Sequence, residues 1–287
     1  MRRRAVLSIA GSDCSGGAGI QADLKTMLAN GVYGMTAVTA LTAQNTMGVN
    51  SVMAVPPEFL EAQLRAVFED IYPDAVKIGM LCSEELAAVT VEVLRREKAA
   101  NIVIDPVMVS TSGRELLDER AVERMTQELF PLAELITPNI PEAEKLLGRP
   151  IGDGADRDNR ADGDNRADRE RAAQELAQRF GCSVLIKGGH STDSEGADDF
   201  LYLRHRGSGV SRGSGVWIEG ERIANPNSHG TGCTLSSAIA SNLAKGFDME
   251  ESVRRAKDYL SKALAAGLDM GKGNGPLDHG CGFHVEP

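Results

Sequence analysis

The chain has 287 residues, 42% of them hydrophobic, which is enough to bury a full core and close to the upper limit for one domain. Its 31 basic and 41 acidic side chains give a formal net charge of -10, and aromatic residues make up only 4%. That balance excludes the electrostatic footprint and stacking platform of a nucleic-acid binder, so an anionic substrate needs local donors or a metal ion.

Met1-Arg2-Arg3-Arg4 followed by Ala5 to Ala10 imitates a secretory signal, but the apolar run stops at Gly11-Ser12-Asp13, short of the ~7–15 residues a signal core needs. It reads as the first strand. No run of about 20 apolar residues occurs, so no membrane span is expected. The cysteines, at 14, 82, 182, 233 and 281, are odd in number and widely spaced, with no Cys-x-x-Cys pair. They point to a reducing cytoplasm, with neither a disulfide framework nor a zinc site.

After the first strand comes a glycine-rich loop, Gly11 to Gly19, then a helical pattern from about Ile20 to Asn30 closed by Gly31. Thr36 to Thr42 is β-branched and predicts a strand ending in Ala43-Gln44-Asn45. Pro57 opens a helix towards Asp70, Ala75 to Ile78 is a strand running into Gly79-Met80, and Ser83 caps a helix reaching about Ala99. Further strands at 101–104, 135–136 and 184–186 end at Asp105-Pro106, Thr137-Pro138-Asn139 and Lys187-Gly188-Gly189. Ser228 to Ala238 then places two glycines ahead of a Ser/Ala/Leu run that predicts a helix as far as Ala244. Strand, loop and helix thus alternate about six times, which predicts an α/β fold with a mostly parallel sheet covered by helices.

Two stretches read as insertions into a single domain spanning 1–287. Within 152–171 a six-residue unit is copied almost unchanged, Asp158 to Gly163 and then Asp164 to Arg169; within 206–217 Arg206 to Ser211 is followed by the similar Arg212 to Trp217. The first has mixed charge and no apolar periodicity, so disorder is expected; the second reads as a flexible or extended hairpin tip. Both are expected to be functionally silent surface loops.

Each strand ends in a group capable of chemistry: Asp13, Gln44, Asp105, Asn139, Lys187. In open parallel sheets ligands bind beyond the carboxyl ends of the strands, so these groups converge on one crevice. A lysine, several carboxylates and a glycine-rich helix start on one edge favour phosphoryl transfer, which depends on positioning and charge neutralisation. Gly230-Thr231-Gly232 leaves backbone amides at a helix N-terminus for an anion, and the same field is expected to lower the pKa of the Cys233 thiol; the alternative is close packing with Cys233 as a buried hydrophobe. Asp23, one turn beyond Gly19, either points back to the loop and a ligand hydroxyl or is an exposed acid favoured by the helix dipole. Asp105 needs a partner, which a hydrated magnesium ion supplies, and Glu142 is placed to hold metal-bound water unless it and Asn139 only cap a helix. Lys187 is placed to reach a transferred phosphate.

Taken together, Ala10 to Leu24, Leu41 to Asn45, Asp105 to Met108, Thr137 to Glu142, Lys187 to His190 and His229 to Cys233 make the chain resemble the hydroxymethylpyrimidine and phosphomethylpyrimidine kinases of thiamine biosynthesis, within the ribokinase-like superfamily. The resemblance implies a three-layer α/β/α fold, ATP and Mg²⁺, a homodimer, and two successive phosphorylations in one site. It implies that Gln44 hydrogen-bonds an aminopyrimidine edge, that Gly11, Ala18, Met80 and Val107 border it, and that Asp23 lies near it. It assigns Lys187, Asn139 and Lys257 to the nucleotide, Gly230, Thr231 and Gly232 to the anion hole, Asp105 and Glu142 to the metal, and Cys233 to the base, where most ribokinase-like enzymes carry aspartate. A pyridoxal or pyridoxine kinase of the same fold, or a pyrimidine-binding sensor without turnover, are the alternatives.

Overall fold

The computed structural model describes residues 3–108, 119–152, 166–189, 197–205 and 213–283. Alternation along β1 (Ala5–Asp13) sets the layering: Leu7 and Ile9 enter one hydrophobic core and Val6 the other, on the opposite face of the sheet. Eight further strands follow among the described residues: β2 (Tyr33–Asn45), β3 (Gly48–Ala54), β4 (Ala75–Ile78), β5 (Ile102–Ile104), β6 (Leu135–Ile136), β7 (Ser183–Ile186), β8 (Asp199–Arg204) and β9 (Gly213–Ile218). They form one sheet in the order β3-β2-β1-β4-β5-β6-β7-β8-β9. From β2 to β7 the neighbours pair in parallel; β3 at one edge and β8 and β9 at the other are antiparallel.

Helices α1 (Gly19–Ala29), α2 (Pro57–Asp70), α3 (Glu84–Arg96), α4 (Glu119–Arg124), α5 (Ile140–Leu147), α6 (Arg166–Phe180), α7 (Thr231–Ala244) and α8 (Met249–Ala265) cover both faces. Side chains of α2, α3, α5 and α6 pack with Leu7, Val76, Ile104 and Val184, while those of α1, α7 and α8 pack with Val6, Ala75, Val103 and Leu185. The result is the expected three-layer α/β/α sandwich. Serine and alanine dominate α7, which is buried without a break from Thr234 to Ala244, so the helix lies close to the sheet and fixes its own N-terminus over the strand ends. The Ser83 hydroxyl accepts from the Leu86 amide at the start of α3, as the sequence predicts.

The disorder expected over 152–171 does not hold where the structure describes that segment, while the described part of 206–217 lies on a hairpin. Residues 166–171 form the first turns of α6, and 213–217 lie in β9, paired with β8. The second copies of the two repeats meet: the guanidinium groups of Arg166 and Arg169 lie 4.6 and 5.2 Å from the Trp217 ring centre, and Trp217 Nε1 donates to Glu170 Oε1 at 2.8 Å. Cation–π stacking and strand pairing supply the ordering that a lack of periodicity conceals. Residues 153–165 and 206–212 lie outside the described residues. Among the described residues no helix is long and apolar enough to cross a membrane.

Candidate active site

Strand β1 is flanked by β2 on one side and β4 on the other, so the chain order reverses there and a crevice opens beyond the carboxyl ends. A cavity of about 790 Å³ fills it, lined by Gly11, Ala18, Gln44, Met80, Val107, Asp105, Asn139, Glu142, Lys187, Lys257 and the run Gly230 to Cys233. Residues as far apart in sequence as Gly11 and Lys257, 246 positions, therefore share one chamber. Asp23 is the exception among the expected site residues.

Asp13 organises the glycine-rich loop. Its buried carboxylate accepts from the Ser15 amide (2.8 Å) and hydroxyl (2.7 Å), from the amides of Gly17 (3.1 Å) and Ala18 (2.8 Å), and from His229 Nε2 (2.9 Å). Burial alone would raise its pKa, but hydrogen bonds from His229, Ser15 and Gln44 outweigh this and hold the carboxyl well below its ordinary range. Gln44 adds to this lowering, and its side-chain amide offers both donor and acceptor groups at the cavity wall. Gly11 packs on Met80, whose Cε would lie 2.6 Å from a Cβ at that position.

The charged group beside this wall is built from three strand ends. Lys187 Nζ lies 2.7 Å from Asp105 Oδ1 and 3.9 Å from Glu142 Oε2, and Thr137 Oγ1 donates to Asp105 Oδ1 at 3.2 Å. Asn139 and Glu142 form a complete capping box on α5: Asn139 Oδ1 accepts from the Glu142 amide and Glu142 Oε2 from the Asn139 amide, both at 2.8 Å. The capping alternative is thus realised, and both side chains still border the cavity. Burial pushes the Glu142 carboxyl up, Lys187 opposes this and Asp105 reinforces it. Among the described residues no three His, Cys, Asp or Glu side chains gather as a metal site. Asp105 and Glu142 fit only an ion that takes most ligands from water and phosphate, which is the habit of Mg²⁺. Lys257 is buried and held by Ala197 O (2.5 Å) and Asp199 Oδ2 (2.6 Å), so it borders the chamber as part of a fixed ion pair.

At α7 the N-cap is Gly230, with φ of 87° and no side-chain cap. A Cβ there would sit 1.9 Å from Gly17 O, and one on Gly232 only 2.9 Å from Asp105 Oδ2 and 3.4 Å from Lys187 Nζ, so only glycines let the helix start approach both the loop and the charges. Cys233, in the first turn, contradicts the expected depression of its pKa. Burial pushes the thiol up to about 11; Lys77 opposes the rise, while Asp23 and Asp105 add to it. Loss of solvent outweighs the helix field here.

Asp23 needs a second correction. It is fully buried between α1, β1, β4 and α7, where Lys77 Nζ lies 2.9 Å from both its oxygens and the hydroxyls of Ser8 (2.5 Å) and Ser237 (2.7 Å) donate to it. Lys77, not Asp23, lines the cavity. Sequence reasoning missed Lys77 because a lysine inside an apolar strand reads as a snorkelling surface residue, and it missed the Asp13–His229 pair because only the fold brings them together.

Residues 13–278 match the family model described as phosphomethylpyrimidine kinase. The chain belongs to the phosphomethylpyrimidine kinase family. Within that family it is 46% identical to the hydroxymethylpyrimidine/phosphomethylpyrimidine kinase of Rhizobium meliloti, over 97% of this chain and 96% of that protein. It is 43% identical to the thiamine biosynthesis bifunctional protein of Geobacter sulfurreducens over 96% of this chain, which spans about half of that protein, 52% of its length. The crystal structure of phosphomethylpyrimidine kinase from Clostridium difficile is 42% identical, with a TM-score of 0.73 and coverage of 91% of this chain and 100% of that one. The pyridoxal kinase of Staphylococcus aureus in complex with AMP-PCP and pyridoxal is 32% identical, with a TM-score of 0.82 over 99% of this chain and 97% of its own. The fold is ribokinase-like, as the motifs imply.

Proposed function

We propose that this member of the phosphomethylpyrimidine kinase family uses ATP to phosphorylate 4-amino-5-hydroxymethyl-2-methylpyrimidine, and then its monophosphate to the diphosphate, in thiamine biosynthesis. The observation that carries the reading is one chamber holding a side-chain amide at an apolar wall, Gln44 with Ala18, Met80 and Val107, and a lysine and a glycine helix start beside Cys233. Gln44 offers donor and acceptor to the aminopyrimidine edge. The start of α7 and Lys187 receive the charge of the transferred phosphoryl group, and Asn139 and Lys257 border the nucleotide. Cys233 Sγ, as thiolate, takes the hydroxyl proton while the substrate oxygen bonds to phosphorus and the bond to ADP breaks. Asp105 and Glu142 would hold Mg²⁺ through few direct ligands, and the ion supplies charge neutralisation on the phosphates.

A homodimer in the cytoplasm belongs to the same proposal. Leu41, Met47 and Met53 stand 46%, 69% and 61% exposed on the β2–β3 hairpin and give a second copy an apolar face, which light scattering on the purified protein tests. The similarity to pyridoxal kinases favours one second reading, in which pyridoxal is the better substrate. The ratio of kcat/KM for hydroxymethylpyrimidine and pyridoxal decides between them: we expect it to favour the pyrimidine, and a ratio favouring pyridoxal would overturn the assignment.

A further inference from the structure

Asp13 and His229, 216 positions apart, meet where the loop against Gln44 touches the start of α7. We propose that this contact is a clasp through which an occupied pyrimidine wall sets the position of the anion-binding helix start, making Asp13 and His229 positioning residues for phosphoryl transfer. The inference rests on the kinase reading above.

Both carboxylate oxygens of Asp13 are committed. Oδ1 accepts from the Ser15 amide and hydroxyl, and Oδ2 from the Gly17 and Ala18 amides as well as from His229. At 1% exposure the group has no solvent to substitute for a lost partner, so a shift of Ala18, whose amide donates to Oδ2 at 2.8 Å, moves the carboxylate with it. His229 passes the shift on, because the next residue is the N-cap Gly230. The contact faces leave little slack: a Cβ on Gly17 would meet His229 Cδ2 at 2.5 Å, and one on Gly230 would meet Gly17 O at 1.9 Å. From the far side, the His229 amide donates to Gly275 O at 3.3 Å, which holds the histidine against the loop. Two sites joined by a stiff, fully bonded element are expected to bind their ligands with a shared coupling factor.

The test compares the Kd of Mg²⁺·AMP-PCP, by calorimetry, with and without saturating hydroxymethylpyrimidine, in the wild type, His229→Leu and His229→Gln. We expect coupling on the order of tenfold in the wild type. His229→Leu should abolish it and lower kcat by about tenfold or more while the Kd for the pyrimidine alone changes less than about threefold. His229→Gln, whose Nε2–H reaches a similar position, should restore part of both. A histidine that only supports the fold would change the melting temperature and leave the coupling intact. Should His229→Leu not fold, His229→Asn, too short to reach Asp13, is the equivalent loss variant. Coupling retained in the loss variant, or absent from the wild type, overturns the clasp. Failure of the wild type to phosphorylate the pyrimidine removes the kinase reading instead, while coupled binding lost in the variant still supports the clasp.

Discussion

In the proposed mechanism Cys233 is the base, and its surroundings make a directional claim. With the thiol pushed up to about 11, the thiolate fraction rises about tenfold per pH unit through the neutral range, so kcat/KM for the first phosphorylation should climb with a slope near one. The second phosphorylation attacks with a phosphate already ionised at neutral pH and should lack that slope. A flat first-step profile between pH 7 and 9 removes Cys233 as base, as would full turnover in Cys233→Ala, for which we expect loss of most of kcat with ATP affinity nearly intact. Asp23 makes the opposite case. Because it neutralises the buried Lys77, Asp23→Asn should cost about 3–5 kcal/mol in urea unfolding and leave the pyrimidine KM of the folded fraction unchanged. Gln44, Asp105 and Lys187 are legible as site residues because each ends an apolar run. The partners of Asp23 are not legible, because pairing across 54 residues is fixed by the α1 and β4 packing and leaves no local pattern.

At the level of elements, the start of α7 is the most demanding piece of backbone. Gly230→Ala places a side chain at positive φ, about 1–2 kcal/mol of strain, and drives it into Gly17 O, so kcat should fall by at least about tenfold in steady-state assays while circular dichroism stays near wild type. Helices with caps and parallel strands with β-branched runs were readable from sequence, as Ser83 and Ala75 to Ile78 show. The edge strands were not. Gly213-Ser214-Gly215 carries no strand propensity of its own and becomes β9 only because β8 pairs with it and Trp217 packs at a tilt against Phe200, their ring centres 5.0 Å apart. Trp217→Ala is accordingly expected to cost about 2 kcal/mol or more in thermal or urea melts, whereas deleting residues 158–163 should leave kcat/KM unchanged, since loop length alone shifts stability by less than about 1 kcal/mol.

Two hydrophobic cores clamp one sheet, a chamber opens beyond the carboxyl ends of its strands, and a histidine bonded to Thr234 of α7 ties stability to pH. His279 is buried, and burial, with Lys25 adding, pushes its pKa down to about 4 from 6.5. The unfolded chain therefore binds a proton that the folded chain refuses. The contribution is present in full above pH 6.5 and is lost as the pH falls towards 4, on the order of 3 kcal/mol, and His279→Gln should flatten that loss in urea titrations. The layering and the common crevice could be read from alternating runs alone; the closure of the chamber by Asp13, His229 and Lys77 could not, because it depends on contacts between distant segments. The central claim is two phosphorylations in one chamber, and phosphorus NMR of the purified protein with ATP, Mg²⁺ and hydroxymethylpyrimidine tests it most directly. The account predicts the monophosphate first and then the diphosphate, with two ADP formed per pyrimidine; ADP-free mixtures with the pyrimidine unchanged would contradict it.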